Sequence, residues 1–370
     1  MVRVHVSVPD AAPADYDVVV EAGALDRVDA LVADVLSPPH FAVIADATVA
    51  ERFGEEAVDA LERTEARVDL LTFPPGEASK TRAQWSALTD ALVERRFGRD
   101  GCIVALGGGV TGDLAGFVAA TYMRGVPFIQ LPTTLLAMID ASVGGKTGVD
   151  AAGGKNLVGA FHQPRLVIAD PQLLVPLPDE AFRAGLAEAV KHGAIADPDY
   201  LREIERDAEH LLDRDAGALS RMIRRSVAIK AEFVTADPHE AGARQALNFG
   251  HTIGHALEAA TAYETPHGHA VAVGMVVEAA LGEALRITAP GTARMLAAAL
   301  DRLGLPAALP DGVDAEAVLR HTRSDKKARD ARVRYTLLAR TGVVARSDDG
   351  AWTVPVEDEL VLAILARRPD

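Results

Sequence analysis

One cysteine, Cys102, stands in a chain of 370 residues. A single thiol forms no internal disulfide and cannot build a four-cysteine zinc site. Positive charge is also scarce: 38 Lys and Arg face 53 Asp and Glu, a formal net charge of −15. A nucleic-acid binder carries a basic face, and the excess here runs the other way. A small anionic ligand remains compatible, because a few local cations outweigh a diffuse acidic surface. The opening "MVRVHVSVPDAAPADYD" has no apolar signal core. No charge-free apolar run reaches the ~18 residues of a membrane span. The expectation is a cytoplasmic globular protein that binds neither nucleic acid nor membrane. Apolar residues make up 49% of the chain, ample for a packed core, and the length suggests two domains.

The first half alternates β-rich runs with helical stretches. "FAVIAD", "CIVALGGG", "PFIQLP" and "LVIAD" read as buried strands, and "VRVHVSV" alternates like a half-exposed one. "QWSALTDALVERR" and "DLAGFVAATYM" between them read as helices. This order predicts an α/β unit with a mainly parallel sheet over 1–178. Strand signals then nearly vanish, and 179–370 reads as mostly α-helical, with only "RVRYTLLA" resembling part of a strand pair.

Two glycine-rich segments carry chemistry. "VALGGGVTGDLAGF" is a strand, a glycine cluster and a helix, with Gly107, Gly109 and Gly112 at G-x-G-x-x-G spacing. Such a turn brings backbone N–H groups and a helix N-terminus to a pyrophosphate, or it simply turns tightly. The acidic ribose partner expected ~20 residues on is missing, since position 130 is Gln. Asp46, ending "FAVIAD", and Glu77 and Lys80 in "PPGEASK" are the polar groups that could substitute. Further on, Thr133 and Thr134 follow a strand, and "GGKTG" and "GGKN" set Lys146, Lys155 and Asn156 among glycines. Lysine in a glycine loop binds phosphate as a point charge. Asp140 occupies the position where a Walker A loop needs glycine, which argues against an NTPase.

Four of the 11 histidines fall between His251 and His269. His251 and His255 at i and i+4 share a helix face, a spacing that suits two ligands of one ion or one ligand beside an acid/base. An isolated pair of this kind is more often a solvated or core feature. His267 begins the next helix, and Glu188, in "GLAEAVKHG", could supply an oxygen ligand. Lys191 shares the face of Glu188, and Lys230, Glu240, Arg244 and Asn248 are further polar candidates. A metal beside so many cations suits an anionic ligand.

Taken together, "ALGGGVTGDLAGFVAATYMRG", "QLPTTLLAMIDASVGGKTGVD", "GKNLVGAFHQP", "GLAEAVKHG", "LNFGHTIGHALE", "HGHAVAVGM" and "SDKK" resemble the 3-dehydroquinate synthase family of sugar phosphate cyclases. The resemblance spans nearly the whole chain. It implies an NAD-binding α/β domain over 1–178, a helical metal- and substrate-binding domain over 179–370, and an active site between them. It implies conversion of the seven-carbon keto-acid sugar phosphate DAHP into 3-dehydroquinate and phosphate, a step of the shikimate route to aromatic amino acids. NAD would be reduced and reoxidised within one turnover, and the metal would be Zn²⁺ or Co²⁺. A homodimer is implied too, with Arg124 reaching the neighbour's site.

Carried over by motif, Glu188, His251 and His267 are the implied metal ligands and His255 the catalytic histidine. Lys146, Asn156, Arg124, Lys326 and Lys327 form the implied phosphate clamp, and Lys230 and Arg244 the carboxylate clamp. Asp140, Lys191, Glu240 and Asn248 are implied partners of hydroxyls and metal-bound water. The implied NAD contacts are Asp46, Glu77, Lys80, Gly108, Gly109, Val110, Asp113, Thr133, Thr134 and Lys155. The chain departs from the family at His269, where His-Gly-Glu is usual, and at Pro176, where threonine is common. The alternatives are another cyclase, of valiolone or deoxyinosose type, and a metal-dependent NAD polyol dehydrogenase. Lys230 and Arg244 favour a substrate with a carboxylate.

Overall fold

The computed structural model describes residues 15–152, 154–324 and 332–367. The "VRVHVSV" run lies outside them, as do Lys326 and Lys327. Strands β1 (Asp17–Val20), β2 (His40–Asp46), β3 (Arg67–Phe73), β4 (Cys102–Gly107) and β5 (Phe128–Pro132) are followed by a hairpin, β6 (Lys146–Ala151) and β7 (Gly154–Phe161), and then by β8 (Leu166–Ala169). All but the hairpin join one parallel sheet of order β1-β8-β5-β4-β2-β3.

The four inner strands are the four apolar runs, and they are buried along almost their whole length. Helices cover both faces of a parallel sheet, so such strands read as unbroken hydrophobic stretches. The edge strands differ: β1 and β3 mix polar residues into their sequence and stay partly exposed. Chain direction sets where a ligand sits. From β2 the chain steps outward to β3, then returns to β4 on the other side of β2 and continues through β5 to β8. The strand order therefore reverses between β2 and β4, and open α/β sheets bind ligands in the crevice outside the carboxyl ends at such a point. Asp46 closes β2 and Gly107 closes β4 at that crevice.

The lysine-bearing glycine segments are not open loops. They form β6 and β7, an antiparallel ladder pairing Thr147 with Ala160 and Gly148 with Gly159. A side chain at either paired glycine would collide with the opposite backbone. β6 packs on the helix Gly109–Thr121 through Gly116 and Thr147, whereas β7 is exposed along most of its length.

Among the described residues from Asp179 onward, the regular elements are helices apart from two short ladders, Arg334–Tyr335 with Val354–Pro355 and Leu338–Arg340 with Val343–Val344. The helix Asp179–Ala196 runs through the middle, buried without interruption from Ala184 to Ile195. Helices buried all round are normally apolar, yet this one carries Glu188, Lys191 and His192 at the centre of its buried stretch. No helix among the described residues is long and apolar enough to cross a membrane.

Candidate active site

A cavity of about 600 Å³ opens between the sheet with its hairpin and the helical half. Asp113, Asp140, Lys146 and Asn156 line it from one side, and Lys191, Lys230, Glu240, Arg244, Asn248, His251, His255 and His267 from the other. Glu188 lies immediately behind Lys191, fully buried.

Three helices bring Glu188, His251 and His267 to one point. Glu188 Oε2 faces the Lys191 ammonium. Oε1 has no hydrogen-bond partner among the described residues and stands 3.5 Å from His251 Nε2 and 3.4 Å from His267 Nε2. All three ligand atoms lie within 4.8 Å of one another. Atoms that share a tetrahedral Zn²⁺ at ~2.1 Å each are roughly 3.4 Å apart, so a buried, unbonded carboxylate oxygen between two imidazoles fits the ion. The far ring nitrogens are held as well. His251 Nδ1 is 3.2 Å from the Phe249 carbonyl and His267 Nδ1 is 3.2 Å from Glu258 Oε2. Both partners accept a proton, so each Nε2 keeps its lone pair toward the site. Burial pushes His251 well below the imidazole range, leaving it in the neutral, ligating form. Burial opposes charge on His267 too, but Glu188 and Glu258 raise its pKa to about 10, so a metal ion there would take the place of the Nε2 proton and leave Nδ1–H on Glu258. Two carboxylates thus demand a positive charge at this spot. Asp140, Glu188 and His192 also converge, but Lys191 and Lys230 beside them disfavour a cation there. His255, Glu258 and His267 form an overlapping set.

Local sequence explains the placement. The helix His251–Ala260 starts after Gly250, at φ 80°, with no side-chain cap of its own. Glu278 of the helix His267–Ala284 supplies one, accepting from Gly250 N at 2.7 Å and Ile253 N at 3.2 Å, where a negative charge also meets the helix dipole. The two histidine helices cross at Gly250 and Gly274, and Gly268 abuts the Ala184 backbone of the Glu188 helix; a Cβ at Gly268 or Gly274 would overlap backbone atoms. Gly268→Ala is therefore expected to destabilise the fold by about 1–3 kcal/mol or more and to weaken zinc retention, since it wedges the His267 helix away from Glu188. Denaturant melts and metal analysis of the variant check this; wild-type values for both would show that the contact can relax.

The cations of the cavity are mostly neutralised from within. Lys146 pairs with Glu240, whose other oxygen accepts from Asn248 Nδ2 at 2.9 Å. Lys230 Nζ lies 2.7 Å from Asp140 Oδ1. Burial opposes ionisation of Asp140, but Lys230 and Lys191 hold its carboxyl well below the usual range. Burial likewise disfavours charge on Lys191, yet Glu188 and Asp140 raise it. Arg244 is different. It is buried, and the hydrogen bonds of its guanidinium run to backbone carbonyls, at 3.3 Å to Gly144 and 2.9 Å to Pro238. Gly144, at φ +103°, leaves room for that group, and a Cβ there would collide with it. The first glycine of "GGKTG" thus seats an arginine 100 residues away. Asn156 and Glu240 are non-glycine residues in left-handed backbone, at φ 56° and 57°.

The proposed NAD residues gather at the carboxyl edge of the sheet. Asp46 accepts from Thr48 N at 2.9 Å and Val49 N at 3.0 Å. Gly108 and Gly109 open the helix Gly109–Thr121, followed by Val110, and its first turn has no side-chain cap, so its N–H groups are free to meet an anion. Thr134 lies against Gly108, and Thr133 N donates to Gly107 O at 2.9 Å. Gly112 packs on Gln130, which explains the glycine there by contact and not by a ligand. Lys80 Nζ sits 2.5 Å from both Asp113 Oδ2 and Asn156 Oδ1. Lys155 lies 3.8 Å from Glu77 and 3.7 Å from Glu258.

Arg124 lies outside this cavity, exposed after a left-handed turn at Met123. His269 belongs to none of the candidate ligand clusters among the described residues; Glu180 and Arg183 of the Glu188 helix are the charges it feels, and burial lowers its pKa. Two functional candidates were missed in the sequence. Glu258 was visible in "HTIGHALE", seven residues after His251 and three after His255, hence near their face. His192 gave no signal beyond following Lys191.

Residues 70–184 match the family model described as 3-dehydroquinate synthase N-terminal, and residues 185–328 match 3-dehydroquinate synthase C-terminal. A 3-dehydroquinate synthase of Symbiobacterium thermophilum is 46% identical over 336 residues, covering 90% of this chain and 94% of that one. The chain belongs to the 3-dehydroquinate synthase family. Solved structures of two other cyclases superpose along the chain. A 2-deoxy-scyllo-inosose synthase complexed with carbaglucose-6-phosphate, NAD⁺ and Co²⁺ has a TM-score of 0.89 at 27% identity, covering 95% of this chain and 96% of that one. A 2-epi-5-epi-valiolone synthase from Streptomyces hygroscopicus subsp. jinggangensis, with NAD⁺ and Zn²⁺ bound, has a TM-score of 0.86 at 28% identity, covering 97% and 98%.

Proposed function

We infer that this chain catalyses the reaction of its family, converting DAHP to 3-dehydroquinate with elimination of phosphate. It uses NAD and a divalent metal, Zn²⁺ or Co²⁺. The observation that carries the choice of substrate is Arg244: a buried guanidinium, bonded to carbonyls, facing a cavity whose lysines are paired with acids. A keto-acid carboxylate satisfies that fork, and a hexose phosphate leaves it with only the more distant charges of Glu240, Asp140 and Asp237.

The residue roles follow as proposals. Lys230 joins Arg244 on the carboxylate. Lys146 and Asn156, with Arg124 and one of Lys326 and Lys327, hold the phosphate; Arg124 would come from the neighbouring subunit of a homodimer, which suits its exposure outside its own cavity. Asp140, Lys191, Glu240 and Asn248 orient the ring hydroxyls. Fixing both anionic ends keeps the sugar in one pose through several chemical steps. His255, its ring 5.3 Å from His251 and 5.9 Å from His267, moves a proton at the hydroxyl nearest the ligands, a role worth about 10²–10⁴-fold. When bound by Glu188, His251 and His267, the metal supplies Lewis-acid stabilisation of oxyanions. When bound at the switch point by Asp46, Glu77, Lys80, the Gly108–Val110 turn, Asp113, Thr133, Thr134 and Lys155, NAD supplies a hydride acceptor that later returns the hydride.

The test is substrate choice. DAHP is expected to release phosphate at least ~10²-fold more efficiently than a hexose 6-phosphate, in line with the loss expected for a buried, unpaired charge. Equal turnover of both would favour a cyclase of the deoxyinosose or valiolone type.

A further inference from the structure

Glu258 stands between two parts of the molecule that the reading above treats separately. Its Oε2 lies 3.2 Å from His267 Nδ1. Its Oε1 lies 3.7 Å from Lys155 Nζ, on the hairpin strand β7. Lys155 in turn reaches Glu77, at 3.8 Å, in the turn after β3, and its ammonium sits 4.6 Å above the Tyr263 ring. One carboxylate therefore touches both a metal ligand and a lysine at the crevice where NAD is proposed to bind. Glu258 is buried, with 7% of its side chain exposed, so the position of its charge is not blurred by solvent.

We propose that Glu258 is a positioning residue that couples the metal site to the NAD site: it orients His267 through Nδ1 and shares its charge with Lys155. This rests on the metal and NAD assignments made above. The coupling has a definite sign. Lys155, while paired with Glu258, draws carboxylate charge away from His267. When Lys155 turns to an anionic cofactor, Glu258 is left to His267 alone, the imidazole becomes a stronger donor, and the metal is held more tightly. Linkage is reciprocal, so the metal tightens NAD by the same factor.

The experiment is zinc affinity of the purified full chain, by competition with a chromogenic chelator, with and without saturating NAD⁺ and no substrate. Glu258→Gln is expected to weaken zinc roughly 10–100-fold, the usual effect of losing a ligand's outer partner, with the metal-free chain melting at the wild-type temperature. NAD⁺ is expected to tighten zinc in the wild type, and Lys155→Met is expected to remove that effect while NAD⁺ still saturates. Unchanged zinc affinity in Glu258→Gln overturns the proposal, as does an NAD⁺ effect of equal size in wild type and Lys155→Met. Failure of the underlying metal assignment looks different: the wild type would then hold no stoichiometric zinc, and His251→Ala would match it.

Discussion

Replacing His251 with alanine is expected to abolish zinc retention and to lower kcat/KM by roughly 10³-fold or more, the equivalent of several kcal/mol of oxyanion stabilisation. The ring is one of the three proposed ligands, its Nε2 is 3.5 Å from Glu188 Oε1, and the Phe249 carbonyl lies 3.2 Å from its Nδ1. Losing it leaves Glu188 with His267 and a solvent-filled gap, which is too few protein ligands for a tight site. The proposed NAD residues lie mainly at the strand ends across the cavity, so NAD is expected to bind still, weakened only by the factor by which the metal tightens it. Equilibrium dialysis with zinc and fluorescence titration with NADH separate the two effects. Full activity with full zinc content would remove His251 from the metal site.

Arg244→Ala is expected to act on the substrate instead. Truncating one partner of a buried charge pair removes about 2–5 kcal/mol, here a fall of roughly 30-fold to several thousand-fold in kcat/KM, carried mainly by KM for DAHP. Zinc content and NAD affinity should stay at wild-type values. Arg244→Lys should recover only part of the loss, because an ammonium cannot span a carboxylate with two parallel bonds. Gly144→Ala should reproduce a fraction of it, since a methyl group there intrudes on the guanidinium. A normal KM for DAHP in Arg244→Ala would refute the carboxylate role.

How much of this was readable without coordinates depends on the range of the interaction. The inner strands were readable because burial on both faces makes "FAVIA" and "CIVAL" continuous apolar runs. β1 and β3 were not, because edge strands half-exposed to solvent carry mixed sequences such as "RVDLLTF". The hairpin reads as loops in the sequence because its glycines resemble turn residues; they are there so that two backbones and a helix can approach closely. The histidine helix announced itself by an i,i+4 spacing. Its capping acid, Glu278, lies 28 residues from the Gly250 N–H it accepts from and left no local trace. The same holds for Gly144 under Arg244. The switch point between β2 and β4 follows from strand order, which no periodicity records.

The measurement closest to the central claim is phosphate release from DAHP by the purified chain with Zn²⁺ and NAD⁺, followed together with absorbance at the NADH band. One phosphate per DAHP with no net NADH is the predicted result, because the hydride is taken and returned within a turnover. Steady accumulation of NADH, or no phosphate from DAHP while another sugar phosphate is consumed, would contradict it.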